Sequence, residues 1–159
     1  MKNRFQMTWD AEAIAKAFEV SIDDIREYLT DGRRASFIVE RRLKWMHEGW
    51  TLAPSEGASY DLQDPDGGLW EVRSITKRGV YFNPSGQVGS GRSFNEEGFR
   101  AKVDGIEGYI LTDIANFPNI DVFVVRWENV IRWYDSGKLG ASTKVSRKKF
   151  YSALAEDIV

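Results

Sequence analysis

The chain has 159 residues and a formal net charge of −2, and 42% of its residues are hydrophobic. These values indicate an ordinary soluble globular protein, long enough for one compact domain with a sizeable core. The sequence has no Cys, which excludes disulfides and thiolate metal sites, and its single His, His47, argues against a zinc site or a Ser-His-Asp triad. Any metal is therefore expected to be a hard ion with oxygen ligands, such as Mg²⁺.

No apolar stretch approaches the length of a membrane span, and residues 1–6 lack a secretory apolar core. We therefore expect a cytoplasmic protein with no membrane partner. The near-neutral charge argues against indiscriminate binding of polyanions. It does not exclude DNA, because basic residues are clustered at 33–34, 41–44, 77–78 and 147–149.

The first third of the chain predicts three helices. Asp10 can cap the first and Ser21 the second, each before apolar residues at helical spacing, and residues 34–48 form the third pattern. Residues 13–25 resemble a helix-turn-helix unit, which would place the second helix in a major groove. That helix is acidic, which a phosphate-lined groove disfavours, so we favour a helical hairpin for packing or dimerisation over the DNA-binding interpretation.

The remaining sequence alternates between strand and helix patterns. Strands are expected at 50–53, 58–63, 69–76, 80–82, 109–114 and 120–127, helices at 95–106 and 146–157, and a helical turn or another strand at 128–133. The run from 120 to 127 is nearly continuous and apolar, which predicts a central buried strand. We expect an α/β (α+β) fold with one mixed sheet flanked by helices. It would consist of a helical N-terminal segment, 1–35, and a larger domain, 36–159.

The strands at 58–63 and 69–76 would form a hairpin that gathers charged residues. Asp61 ends the first apolar run, whereas Glu71 and Arg73 lie two positions apart on the second and so share one face. Two carboxylates and a cation in one place suit a divalent metal ion and a phosphate group. The alternative is structural, because the connecting Asp-Pro-Asp-Gly-Gly is a favourable turn sequence by itself, and Glu71 and Arg73 would then be a surface pair beside Lys77.

One residue pattern links this hairpin to a known family. It consists of Asp61, Asp64, Gly67, Glu71, Val72 and Ser74. The pattern resembles that of the PD-(D/E)XK nuclease superfamily, in particular its small type II restriction endonucleases. The superfamily core runs helix, three strands, helix, strand, and in that order the resemblance extends over roughly residues 37–127. It implies a restriction-endonuclease-like fold for the larger domain.

The resemblance also implies a role for each motif residue. Asp61, Glu71 and the carbonyl of Val72 would bind Mg²⁺, which polarises the scissile phosphate and activates a water molecule. The third motif position, usually Lys, is Arg73, which can stabilise transition-state charge but cannot act as a general base. Arg73 would act electrostatically alone, or Lys77 would supply an ammonium if its strand continues, or the enzyme would be impaired. We favour the first two together.

Other residues are candidates for DNA contacts or an auxiliary role. Those for DNA binding are Gln87, Arg92, Ser93 and Asn95 around the Gly/Ser-rich loop at 85–93, together with Arg33 and Arg34. A flexible surface loop is the alternative for the first group. Glu40 is a candidate auxiliary carboxylate, with a solvent-facing role as its alternative. The loop lacks the Lys-Ser/Thr ending of a P-loop, so no nucleotide cofactor is expected.

Together these features predict a Mg²⁺-dependent type II restriction endonuclease that cleaves double-stranded DNA. A palindromic target would require two copies of the chain, so we expect a homodimer. Two alternatives are kept. The first is a non-catalytic DNA-binding protein that uses the helix-turn-helix unit, and the second is a repair or junction-resolving nuclease of the same fold.

Overall fold

A computed structural model of the chain describes residues 2–55, 57–84 and 93–157. Its elements in chain order are β1 (Arg4–Thr8), α1 (Ala11–Phe18), α2 (Ile22–Thr30), α3 (Gly32–Met46), β2 (Thr51–Leu52), β3 (Leu62–Gln63), β4 (Leu69–Ile75), β5 (Val80–Tyr81), α4 (Glu96–Asp104), β6 (Gly108–Asp113), β7 (Asn119–Arg126), α5 (Trp127–Asp135), β8 (Lys144–Val145) and α6 (Arg147–Asp157). None of the helices in these ranges is long and apolar enough to cross a membrane.

Six strands form one mixed sheet in the order β1-β7-β6-β4-β3-β2, and β5 pairs with β8 in a separate two-stranded sheet. Strands β4 and β6 are parallel, whereas the other neighbouring pairs of the large sheet are antiparallel. The predicted α/β (α+β) class with a mixed sheet is therefore confirmed. The predicted interior position of the run 120–127 is confirmed as well, because β7 lies between β1 and β6.

Each face of the large sheet has its own apolar core. Helices α1–α3 cover one face, where Leu43 packs in the same cluster as Val72 of β4. Helices α4–α6 cover the other face, where Phe99 and Phe150 pack in the same cluster as Ile75 of β4. Burial of each such side chain contributes about 1.5–3 kcal/mol. Because strand side chains alternate, odd-numbered residues of β4 face α4–α6 and even-numbered residues face α1–α3.

The N-terminal segment differs from the prediction in one respect. Helices α1 and α2 form as expected, and the side chains of Asp10 and Ser21 accept hydrogen bonds from the first turns of these helices. The preceding residues, however, form β1, which pairs with β7 as an edge strand of the main sheet. The segment 1–35 is thus not wholly helical, and its proposed end falls inside α3, which begins at Gly32.

Two further findings concern residues 128–133 and the end of β4. Of the helical turn and the strand considered for 128–133, the helical alternative is correct, because these residues belong to α5. Strand β4 stops at Ile75, because Thr76 and Gly79 bond reciprocally through their backbone groups in a tight turn. Gly79 has a φ of +118°, a conformation that side chains other than hydrogen rarely allow. The strand therefore does not continue to Lys77, and the condition under which Lys77 would supply an ammonium is not met.

Candidate active site

Asp64 fixes the geometry of the β3–β4 hairpin. Its Oδ1 accepts hydrogen bonds from the backbone N–H groups of Asp66 (3.0 Å) and Gly68 (2.7 Å), and its Oδ2 accepts one from Nε1 of Trp70 (2.9 Å). These bonds hold the turn in the register that pairs Leu62 with Trp70. The role of Asp64 is therefore to position the strands that carry the charged residues.

Continuation of this register places Asp61 opposite Glu71. The backbone N–H of Asp61 donates to the carbonyl of Trp70 (2.9 Å), and Oδ2 of Asp61 accepts a hydrogen bond from the N–H of Val72 (2.7 Å). Burial, and then the negative charge of Glu71, raise the pKa of Asp61 to about 6, although the Val72 N–H and the cations of Arg73 and Lys102 act in the opposite direction. The two predicted metal ligands thus form a close carboxylate pair.

Two cations hold the carboxylate of Glu71. Nη2 of Arg73 lies 2.6 Å from Oε1, and Nζ of Lys102 lies 2.5 Å from Oε2. The three side chains are largely withdrawn from solvent, with exposed fractions of 5% for Glu71, 19% for Arg73 and 13% for Lys102. Breaking such a buried arrangement is costly, because removal of one partner leaves a charge poorly compensated. The Asp61 and Glu71 carboxylates and the two cations therefore form one four-residue charged cluster.

Lys102 is the member of the cluster that the sequence analysis missed. It lies on α4, and its Nζ also donates to the backbone carbonyl of Ser59, just before β3. A signal for it was present, because Lys102 follows the inward-facing Phe99 by three positions and directly precedes the inward-facing Val103. A lysine on the buried side of an amphipathic helix indicates a buried partner for its charge.

The segment after β5 supports the cluster from one side. Nη2 of Arg73 donates a hydrogen bond to the backbone carbonyl of Asn83 (3.0 Å). The side-chain oxygen of Asn83 in turn accepts a hydrogen bond from the buried hydroxyl of Thr143. The hydroxyl of Tyr109 donates to the carbonyl of Phe82 (3.2 Å). Burial raises the pKa of Tyr109 well above its usual range, so this group stays protonated as a donor. These bonds orient the Arg73 guanidinium.

The other candidates for catalysis lie away from the cluster. Lys77 is exposed in the turn beyond β4. Glu40 lies on α3, which packs against the face of the sheet opposite to that of Glu71. His47, the single histidine and not a candidate from the sequence, packs between Phe5 and Trp50 near that same face, and burial lowers its pKa.

The candidates for DNA contacts are dispersed. Gln87 and Arg92 lie outside the described residues. Ser93 is exposed, and Asn95 caps α4 by accepting a hydrogen bond from the N–H of Gly98 (2.7 Å). Arg33 and Arg34 are exposed in the first turn of α3, whose initial residue, Gly32, lies close to Ser74 and Thr76 of the β4 end.

The chemistry of the cluster is that of hard oxygen donors beside cations. Among the described residues, no group of three or more His, Cys, Asp and Glu side chains is placed to hold a metal ion. The carboxylates of Asp61 and Glu71 are nonetheless ligands that Mg²⁺ accepts, and this ion often binds through one or two carboxylates with water or phosphate completing its shell. The guanidinium and the ammonium are suited to an anionic oxygen such as that of a phosphate.

Comparisons with known proteins do not assign this cluster. No protein-family model, curated protein or solved structure matches the chain. Its function is therefore argued from the residues of the cluster and the elements that carry them.

Proposed function

We propose that this protein is a Mg²⁺-dependent endonuclease of the type II restriction kind, which hydrolyses phosphodiester bonds in double-stranded DNA. The observation that carries the proposal is the charged cluster itself. Asp61 and Glu71 come from adjacent strands, and Arg73 and Lys102 converge on Glu71 from β4 and α4. Phosphodiester hydrolysis needs a hard cation, an activated water and positive charge around the phosphate, which is what such a set can provide.

The order of elements around the cluster supports a restriction-endonuclease-like fold. Helix α3 is followed by the antiparallel strands β2, β3 and β4, then by α4, and then by β6, which is parallel to β4. The short strand β5, between β4 and α4, is not part of the large sheet, because it pairs with β8. This is the helix, three strands, helix, strand order of the superfamily that the hairpin motif resembles. The strands that would carry the catalytic residues are the second and third of this series.

Asp61, Glu71 and the backbone carbonyl of Val72 would hold the Mg²⁺ ion. The fit rests on the donor set, because the hairpin register places the Asp61 carboxylate opposite that of Glu71. The negative charge of Glu71 is the second cause, after burial, of the raised pKa of Asp61. A divalent cation would relieve this repulsion. When bound, it would polarise the phosphate and lower the pKa of an attacking water.

Arg73 and Lys102 would act on the phosphate group. Both contact Glu71 in the structure, so each would exchange this carboxylate for a phosphate oxygen when DNA binds, and Glu71 would turn to the metal ion. There they would neutralise the charge that develops in the transition state. Lys102 would take the place of the usual motif lysine, because an ammonium, unlike a guanidinium, can also exchange a proton with the attacking water. From the sequence, Lys77 is the candidate for this ammonium only if its strand continues, and β4 ends at Ile75. In this proposal Lys102 therefore takes the role.

The test is cleavage of plasmid DNA of known sequence by the purified full-length chain. With Mg²⁺ present, we expect discrete fragments, and none when the ion is chelated. Glu71→Gln removes one carboxylate charge without changing the size of the side chain, and it should abolish cleavage. Asp66→Asn is the matched control, since it removes a carboxylate from the exposed turn of the same hairpin, and it should cleave as the wild type does.

Two outcomes would contradict the proposal. One is cleavage by the Glu71→Gln variant at the wild-type rate, which would mean that the nuclease activity comes from other residues or from a contaminant. The other is intact plasmid after incubation with wild-type protein and Mg²⁺, on duplexes that together present every short palindrome. Fragmentation without preferred sites would retain the nuclease but remove the restriction type of specificity.

A further inference from the structure

The large exposed apolar side chains of the described residues are concentrated in the helical segment near the N-terminus. Among the described residues, the large apolar side chains that are exposed all lie between positions 18 and 45, with exposed fractions from 36% to 77%: Phe18, Val20, Ile22, Tyr28, Phe37 and Trp45. We call the surface they form, on α1, α2 and α3, the α1–α3 face. Concentration of such residues in one region is typical of a protein–protein interface, whereas scattered ones need no explanation.

The net charge of this face changes sign from α2 to α3. Helix α2 exposes Asp23, Asp24 and Glu27 against one cation, Arg26, which lies 3.9 Å from Asp23. The exposed charges at α1 are mixed: Glu12, Lys16 and Glu19. On α3, each exposed position is cationic or aromatic. Together these positions occupy one continuous third of the circumference of the helix: Arg33, Arg34, Phe37, Arg41, Lys44 and Trp45. The guanidinium of Arg41 lies over the Phe37 ring at 3.3 Å from its centroid. The face thus has an acidic half and a basic half, each with exposed apolar groups.

The two halves are neighbours on the same chain. The guanidinium of Arg34, on α3, lies 5.7 Å from the ring centroid of Tyr28, on α2. A surface with adjoining acidic and basic halves is complementary to its own copy rotated by a twofold axis between them, because each half then meets its opposite. Rotation about an axis near Tyr28 and Arg34 would bring α2 of each chain onto α3 of the other.

We propose that the partner of the α1–α3 face is a second copy of this chain, bound in a twofold-symmetric dimer. The aromatic and aliphatic residues would supply the buried centre, and the α2–α3 charge pairs would set the register. A nucleic acid would be attracted to α3 but repelled by the carboxylates of α2. The proposal rests on this surface alone and does not depend on the proposed nuclease activity.

The test is sedimentation equilibrium of the full-length protein over a range of concentrations, without DNA or Mg²⁺. Asp23→Lys with Glu27→Lys reverses the acidic half, and Arg34→Glu with Arg41→Glu reverses the basic half. Each pair should weaken dimerisation more than tenfold, and the four changes together should restore much of the loss. The matched control is Lys148→Glu with Lys149→Glu on the exposed side of α6, which should leave the dimer unchanged. Circular dichroism checks that each variant is folded.

Each other result overturns the proposal. A wild-type chain that is monomeric at all concentrations excludes the dimer, and a dimer that resists both reversals must use another surface. If the variant with all four substitutions dimerises no more tightly than either pair, α2 and α3 do not face each other across the interface. If the wild type is monomeric and Arg34→Glu with Arg41→Glu weakens binding of a fluorescent oligonucleotide, the occupant is nucleic acid. Glu71→Gln should not affect dimerisation, so failure here and failure of the proposed function are distinguishable.

Discussion

Replacement of Asp61 by Asn should stabilise the protein above neutral pH. The carboxyl of Asp61 has a pKa of about 6 in the folded chain, compared with an ordinary value of 3.8, because it is buried beside Glu71. The folded state therefore binds the proton more tightly than the unfolded state does. The stability that the neutral carboxyl contributes is fully present below pH 3.8 and is lost as the pH rises through 6.

The magnitude follows from this difference in pKa. A tenfold change in proton affinity corresponds to about 1.4 kcal/mol, so ionisation of Asp61 in the folded chain costs up to about 3 kcal/mol. We expect about 1–2 kcal/mol for the substitution, because Asp61 is only half-buried and partial solvent screening reduces the effect. The Asn side-chain oxygen can still accept the hydrogen bond from the N–H of Val72, so the backbone geometry should be kept.

The assay is urea unfolding of the wild type and Asp61→Asn, above neutral pH and again at about pH 4. The variant should have the higher free energy of unfolding in the first condition, and the difference should nearly vanish in the second. Asp66→Asn, in the exposed turn, should change neither value appreciably. A variant with no gain above neutral pH, or with the same gain at both pH values, would show that Asp61 is not buried beside a charged Glu71.

Substitutions at two other positions probe the ion pairs of buried carboxylates. Lys102→Gln should lower the single-turnover rate of DNA cleavage by about 100-fold or more, because it removes one charge at the phosphate. Lys102→Arg keeps the positive charge at Glu71, so this variant should resist urea as the wild type does but should not cleave at the full rate. Cleavage at the full rate would contradict proton exchange by Lys102. Arg147→Met should lower the free energy of unfolding by about 2–4 kcal/mol, because it removes the main cation from the fully buried Asp113 and leaves only the Tyr151 hydroxyl and neighbouring polar groups. A loss under about 1 kcal/mol in urea unfolding would contradict that view of Asp113.

The hairpin could be predicted because its determinants are local. Asp61 and Val72 are 11 positions apart, and the turn between their strands is fixed by Asp64 within a few residues of itself. Strand alternation then places Glu71 and Arg73 on one face without any knowledge of the rest of the chain. The carboxylate pair was thus accessible from the sequence, although its metal and its reaction remain proposals.

Contacts between distant segments could not be predicted in this way. Lys102 meets Glu71 across 31 positions, and this contact depends on how α4 packs against the sheet. Parity along the strand indicated Lys77 instead, but the tight turn after Ile75 ends the alternation first. Strand β1 was missed for a similar reason, since its short, largely polar sequence becomes a strand through pairing with β7, far along the chain.

The same short strand has a consequence for the solubility of the folded protein. Strand β7 is the longest of the sheet, with eight residues and a mostly buried, β-branched sequence, and its free edge would be a template for association with other chains. β1 occupies that edge and presents Arg4, Gln6 and Thr8 at the end of the sheet, while the opposite end is the two-residue β2. The edge of β7 is thereby covered by a five-residue strand whose exposed side chains are polar.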